Sequence, residues 1–415
     1  MVSAAVVLSG AAMLVASAAA QDFKLYGINF DLRQGPDWDP SKCKSASTIA
    51  NELKILSSIT KHVRTYALTD CDVRPVLTNA KSLGLDVWLG VWVAEDEKIF
   101  ANEVKTLQAL IKEGLIDSNV IGFNVGSEAV YRKDITAEQA IKYLTDFKKI
   151  LADNNIKAPV AITDIVDVMT QYPDMVTAGD VVTINQFPFW EKMDPSKAAA
   201  QFYDRIQPLL SIAGNREVII TETGWATDGK NENASDATEA ASARYLRDFV
   251  QLADKQKWKY YYFQGFDSPW KTKLPGHEDS VEGHFGLYTI DGKIKPAFAD
   301  TKSIPTNAPE TESSTKKPAK AGSKAGSKSG SKKSDKDEAG DAGPGVVKPS
   351  DGTNTNNNGG KPSSNGDSGK KPGATPAPTS GCHLARDCGS QRSGSHRDGS
   401  SVVDVGGSFN YILAS

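Results

Sequence analysis

Eight short apolar segments recur between Phe23 and Phe266, most of them separated by stretches of helical periodicity. They are FKLYGINF from Phe23, HVRTYAL from His62, DVWLGVWV from Asp86, NVIGFNVGSE from Asn119, APVAITDI from Ala158, DVVTINQFPF from Asp180, REVIITETGW from Arg216 and WKYYYFQGF from Trp258. Their hydrophobicity is continuous rather than alternating, which is what strands covered on both faces require. In the gaps, Ala140, Leu144, Phe147 and Leu151 share one helical face behind Thr136 and Gln139 in capping-box register. Phe100, Val104, Leu107 and Ile111 form a second such face that stops at Gly114, and Ile49, Leu53, Leu56 and Ile59 a third. Alternating strand and helix implies parallel strands joined by crossover helices. Eight such units predict an α/β fold, a (β/α)8 TIM barrel, rather than an open doubly wound sheet, and function then gathers at the C-terminal ends of the strands.

The barrel cannot extend to the end of the chain. No aromatic residue occurs between Phe298 and Phe409, and the residues after 303 are dominated by Gly, Ser, Lys, Pro, Asn and Thr. Such a composition offers too little apolar surface to offset the entropy of ordering the backbone. The expected organisation is therefore a signal peptide over 1–20, a barrel domain over 21–303 and a disordered tail over 304–415. The signal reading rests on the apolar run that ends at Ala18-Ala19-Ala20 before Gln21. In the tail, Lys320, Lys324, Lys328 and Lys332 recur every four residues, but Gly322, Gly326 and Gly330 argue against a helix.

Secretion makes disulfides possible, and the chain has four cysteines. Cys43 and Cys71 flank a predicted helix and strand and are expected to bridge two strand-end loops; Cys382 and Cys388 lie apart in the tail, where any bridge they form is expected to be with each other. No C-x-x-C or His pair accompanies them, so no metal is expected. No nucleotide-binding glycine loop follows any strand, and no cofactor is expected. A formal charge of −3 over 415 residues gives no field to steer nucleic acid. The expected partner is neutral, and no membrane span is expected past the N-terminal run. Asn233-Ala234-Ser235 is an N-glycosylation sequon.

Glu128 closes the fourth strand segment and Glu222 the seventh. Strands four and seven of a barrel approach the same central space, so both carboxyl groups can face one sugar. Breaking an acetal C–O bond needs a proton at the leaving oxygen and a nucleophile or base at the anomeric carbon, which a carboxyl pair supplies. Position alone does not say which glutamate does which.

From about Phe23 to Phe298 the chain resembles glycoside hydrolase family 17, in particular its fungal and oomycete-type β-1,3-glucanases and glucanosyltransferases. The resemblance is carried by VIITETGW, FNVGSEAVYR, INQFPFW and VEGHFGLYTIDGKIKP, in the family's order. It implies that Glu222 is the nucleophile, Glu128 the acid/base, and Glu282 a further acidic residue of the glucan cleft. Two departures stand out: Ser127 where many relatives have Asn, and Ala226 where Pro is common. Tyr66, Tyr131, Phe187, Trp190 and Trp225, with Trp92 and Trp270, lie near strand ends, where aromatic rings either pack on flat sugar faces or serve the core. Asn124, Asp164, Asn185 and Gln186 are expected either to bond sugar hydroxyls, the role assigned to Asn124 and Asn185, or to fill the barrel mouth.

The expected function is a secreted, retaining endo-β-1,3-glucanase acting through a glycosyl-enzyme. A glucanosyltransferase using the same carboxylates is the near alternative, and an inactive glucan-binding wall protein the distant one. The Lys-rich tail is expected to favour cell-wall association.

Overall fold

The computed structural model describes residues 23–299. Strands β1 (Gly27–Asn29), β2 (His62–Arg64), β3 (Asp86–Val91), β4 (Val120–Ser127), β5 (Val160–Ile165), β6 (Val182–Asn185), β7 (Val218–Gly224) and β8 (Lys259–Phe263) close into one parallel barrel in sequence order. Each lies inside one of the eight expected segments. The ladders are shorter than the apolar runs where the sequence breaks them. The segment from Asp180 contributes only Val182–Asn185, because Pro188 has no N–H to donate and opens a 3-10 turn, Pro188–Glu191.

Helices α1 (Ala46–Leu56), α2 (Arg74–Leu83), α3 (Glu97–Lys112) and α4 (Ala137–Asp153) follow the first four strands. Two short helices, α5 (Val166–Gln171) and α6 (Pro173–Ala178), follow β5; α7 (Ala198–Ala213) follows β6 and α8 (Glu239–Gln256) follows β7. Beyond β8 the described residues form 3-10 turns and isolated β-bridges, and the last turn, Pro296–Phe298, lies against α8. Side chains of Ser45, Asp96, Thr136 and Thr238 each accept a backbone N–H at a helix start, contributing about 1 kcal/mol apiece. The capping box at Thr136 is half formed. Thr136 receives the Gln139 N–H at 3.2 Å, but the Gln139 amide donates to the Tyr143 hydroxyl at 2.9 Å instead of folding back.

The main core lies between strands and helices, with Ile49, Leu53, Val63, Leu107, Phe147 and Phe202 fully buried in it. A separate cluster built on Trp88, Ala161, Ile219 and Tyr261 belongs to the opposite strand faces. Trp88 needs room there: a Cβ on Gly122 of the neighbouring strand would lie 2.2 Å from its ring.

Cys43 and Cys71 are bonded, with Cα atoms 5.6 Å apart, as expected from sequence. The bridge ties the loop after β1 to the loop after β2. It closes a separation of 28 residues, for which chain-entropy arguments give about 3.5 kcal/mol of stabilisation. A Cys43→Ser/Cys71→Ser variant is thus expected to melt several degrees lower than the parent by calorimetry. An unchanged melting temperature would mean that the neighbouring ion pairs hold the loops unaided.

The N-terminal apolar run, the Lys-rich repeat, Cys382 and Cys388 lie outside the described residues. Among the described residues no helix is long and apolar enough to cross a membrane.

Candidate active site

Strand register carries one set of side chains into the barrel. Asn29 of β1 pairs with Arg64 of β2, Arg64 with Trp88 of β3, and Trp88 with Gly122 of β4. Parallel neighbours in register share a face, so Asn29, Arg64, Trp88 and, two residues past Gly122, Asn124 all point inward.

Arg64 is the centre of this layer. It is fully buried, and a buried cation persists only where it is paired and hydrogen-bonded. Its guanidinium donates to Glu222 Oε1 at 2.8 Å, Asn29 Oδ1 at 2.9 Å, Ser127 Oγ at 3.2 Å and Asn124 Oδ1 at 3.4 Å. Glu222, near the end of β7, thus has its counter-charge built into the barrel. The Ser127 hydroxyl also reaches Glu222 Oε1, at 3.5 Å, so the residue that departs from the family pattern still contacts the carboxylate.

Glu128 reaches the same space from a distorted turn. The β4–β5 register breaks between Asn124 and Ser127, and Gly126 and Glu128 take left-handed φ values of 82° and 58°. That backbone is costly for a residue with a Cβ, and neighbouring groups hold it. The Glu128 N–H donates to the Thr163 carbonyl at 3.0 Å and its carbonyl accepts from Arg132 N at 2.9 Å. Asp164 accepts the N–H groups of Val130 and Tyr131 at 3.0 and 3.3 Å, and Arg132 bonds the Ser127 carbonyl at 2.8 Å.

Asn185 joins the two carboxyl groups. It pairs in register with Glu222, donates from Nδ2 to Glu128 Oε1 at 2.7 Å, and lies 3.4 Å from Ser127 Oγ. Thr221 donates to its Oδ1 at 2.8 Å, which fixes the amide with its nitrogen toward Glu128. Burial first, and the charge of Glu222 second, push the Glu128 carboxyl up to about 8, against the Asn185 hydrogen bond. Burial likewise lifts Asp164 to about 6, opposed by the backbone N–H groups it accepts. A carboxyl group raised by burial, beside a second one paired with a guanidinium, is the asymmetry that acid/base chemistry on an acetal needs.

Glu282 sits in the 3-10 turn Val281–Gly283, 3.7 Å from Lys271 Nζ. Burial raises its carboxyl, Lys271 opposes the rise, and Glu222 adds to it, which places its charge in the same field. Tyr66 lies with its ring 4.9 Å beneath the Arg64 guanidinium. Its hydroxyl is buried without a hydrogen-bond partner. Burial raises this phenol, and Glu222 and Glu128 are among the charges acting on it. Phe187 packs edge-on against Phe263 and Phe285, Trp190 against Phe189, and Tyr131 feels the charge of Glu128; all three are half-buried.

Two expected sugar contacts are structural instead. Asn124 is spent inside the barrel, accepting from Trp88 Nε1 at 2.7 Å and donating to Thr183 Oγ1 at 2.9 Å. Trp225 is fully buried, its indole N–H donating to the Asp236 carbonyl at 3.1 Å and its ring packed on Phe189 and Tyr245; no face is left for a sugar. Arg64, Asn29 and Lys271 were not expected from the sequence. The signal for Arg64 is its own presence: a cation inside the strand segment HVRTYAL must find a buried partner.

A closed parallel barrel holding two carboxyl groups at the ends of β4 and β7 has the architecture of a glycoside hydrolase. The sequence profile of the BtgE/BtgC glycoside hydrolase domain matches residues 27–286, and the chain belongs to this family, within glycoside hydrolase family 17. A glucan 1,3-beta-glucosidase of Saccharomyces cerevisiae is 30% identical over 269 residues, 61% of this chain and 85% of that protein. A glucan endo-1,3-beta-glucosidase, btgC, of Emericella nidulans is 29% identical over 281 residues; these are 62% of this chain but only 42% of that protein. An active-site mutant of a Rhizomucor miehei beta-1,3-glucanosyltransferase, solved in complex with laminaritriose, superposes with a TM-score of 0.58 at 27% identity, covering 68% of this chain and 98% of that one.

Proposed function

We propose that this chain cleaves β-1,3-glucan with retention of anomeric configuration, Glu128 serving as acid/base and Glu222 as nucleophile. The observation that carries the reading is the bonded path Arg64–Glu222–Ser127–Asn185–Glu128, which links a carboxyl group paired with a buried guanidinium to a second carboxyl group held by an amide. The relatives' names support the substrate.

In the first half-reaction Glu128 gives its proton to the departing glycosidic oxygen while a Glu222 oxygen bonds to the anomeric carbon. The leaving chain takes that proton, and a glycosyl-enzyme ester remains. Glu128, now a carboxylate, then removes a proton from the incoming hydroxyl as the ester bond breaks. Water as the acceptor gives hydrolysis. A second glucan gives transfer, the activity named for the Rhizomucor miehei relative. Export and wall association complete the proposal and rest on the N-terminal run and the Lys-rich tail.

Incubation with laminarin, followed by NMR before mutarotation and by chain-length analysis, tests this function. A β-configured first product is expected, with products longer than the substrate where transfer competes. An α-configured first product excludes a covalent role for Glu222, and the absence of any product excludes the enzyme reading.

A further inference from the structure

Between β1 and α1 the chain makes a detour that the barrel does not require. Arg33 and Cys43 form an isolated antiparallel bridge, and the residues between them loop outward. At the tip Trp38 is 76% exposed, well above the next exposed large apolar side chains among the described residues, Ile290 at 48% and Tyr172 at 36%. A lone exposed Trp needs no explanation when its loop is loose. This loop is braced. Gln34 N donates to the Lys42 carbonyl at 2.6 Å, Asp39 N to Pro36 at 2.9 Å and Lys42 N to Asp39 at 3.0 Å. At its base Asp70 takes Arg33 at 2.7 Å and Lys42 at 2.7 Å, and the Cys43–Cys71 bridge fixes the far side.

The base also abuts the site. The loop leaves the C-terminal end of β1, the barrel face that carries Glu128 and Glu222. The Arg33 guanidinium stands 5.8 Å from the centre of the Trp270 ring, and the residue after Trp270, Lys271, is the partner of Glu282. A rigid mount of this kind presents a flat aromatic face at low entropic cost on binding. The tip is a single ring flanked by Asp37 and Asp39, not a contiguous apolar patch, and is far too small for a stable protein interface of about 1,000 Å² or more. One ring is, however, the right size for the C–H face of one pyranose.

We propose that Trp38 is a remote platform for the glucan chain, stacking on a glucose unit several residues from the bond that is cleaved. The inference rests on the function proposed above and adds to it a preference for long chains. Trp38 touches no reacting group, so it is a specificity residue.

The test compares the full-length protein with Trp38→Ala and Trp38→Phe on laminaritriose and on long soluble laminarin. For Trp38→Ala, KM on the long glucan is expected to rise about five- to tenfold with kcat unchanged, while both constants on the trisaccharide stay at parental values. Trp38→Phe is expected to recover most of the loss. Equal behaviour of parent and Trp38→Ala at both lengths, or an equal loss at both, overturns the proposal. So does a parent that sediments as a dimer and falls to a monomer on Trp38→Ala substitution, because the ring then faces another copy. Should the parent cleave neither substrate, it is the catalytic reading that has failed. Co-sedimentation of Glu222→Gln, with and without Trp38→Ala, on insoluble linear β-1,3-glucan then decides the platform separately: weaker retention of the double variant supports it, and equal retention overturns it.

Discussion

Glu222→Gln is expected to reduce kcat by about four orders of magnitude or more while the barrel stays folded, since an amide keeps the shape of the side chain but cannot attack carbon as an anion. The same substitution is expected to lower the melting temperature. Among the described residues Glu222 is the only carboxylate bonded to the fully buried Arg64, and removing one member of a buried ion pair costs about 3 to 5 kcal/mol when the other is left uncompensated. The amide oxygen that replaces the carboxylate still accepts from the guanidinium, so the loss should fall toward the lower end. Steady-state kinetics together with thermal denaturation checks both effects. Near-parental turnover in a folded Glu222→Gln protein removes Glu222 from the chemistry, and an unchanged melting temperature removes Arg64 from the role of its counter-charge.

Glu128→Gln is expected to act in the opposite direction on stability. With its carboxyl pushed up to about 8, folded Glu128 stays protonated over a range in which the unfolded chain has already lost the proton. The folded state therefore binds more protons than the unfolded state from the ordinary carboxylate range up to about pH 8. Across that window the stability contributed by the neutral acid is progressively lost as pH rises. The amide has no such dependence, so the melting temperature of Glu128→Gln relative to the parent should increase from pH 5 to pH 8. The other raised carboxyl groups, Asp164 and Glu282, are common to both proteins and largely cancel in the difference. Kinetically, the variant should lose about two to four orders of magnitude on glucan and far less on aryl glucosides whose leaving groups need no proton. It should also lose the high-pH fall in kcat/KM that is expected of the parent near pH 8. Equal losses on good and poor leaving groups would falsify the acid role.

Much of this fold and site is legible in the sequence itself. The eight strands follow from continuous apolar runs, and the two glutamates from their positions at the ends of the fourth and seventh. The hydrogen-bond partners inside the barrel are not legible. Arg64 and Glu222 are 158 residues apart, and only the closure of β1 through β8 brings them together. Asn124 and Trp225 illustrate the converse. Each stands in a motif near a strand end, yet inward direction and depth, set by register and by the packing of Phe189 and Tyr245, make them part of the scaffold. The left-handed turn at Glu128 had a partial signal in Gly126, but which residue after a bulge adopts positive φ depends on the hydrogen bonds that Thr163, Asp164 and Arg132 supply.

The pairing of β1 with β8 has a consequence for how the molecule comes apart. A closed barrel presents no free strand edge, so native copies have nothing to zip onto. Closure here depends on a short seam: Gly27 and Ile28 against Tyr261 and Tyr262, extended by the Gly265 N–H to the Asn29 carbonyl and by the Asn29 amide to the Tyr261 carbonyl. β1 is also the first strand among the described residues, held at its start by the Leu25 N–H to the Ile59 carbonyl. Peeling it away would expose two edges at once and detach Asn29 from Arg64, so a single event would open the barrel to edge pairing and dismantle the layer that holds Glu222.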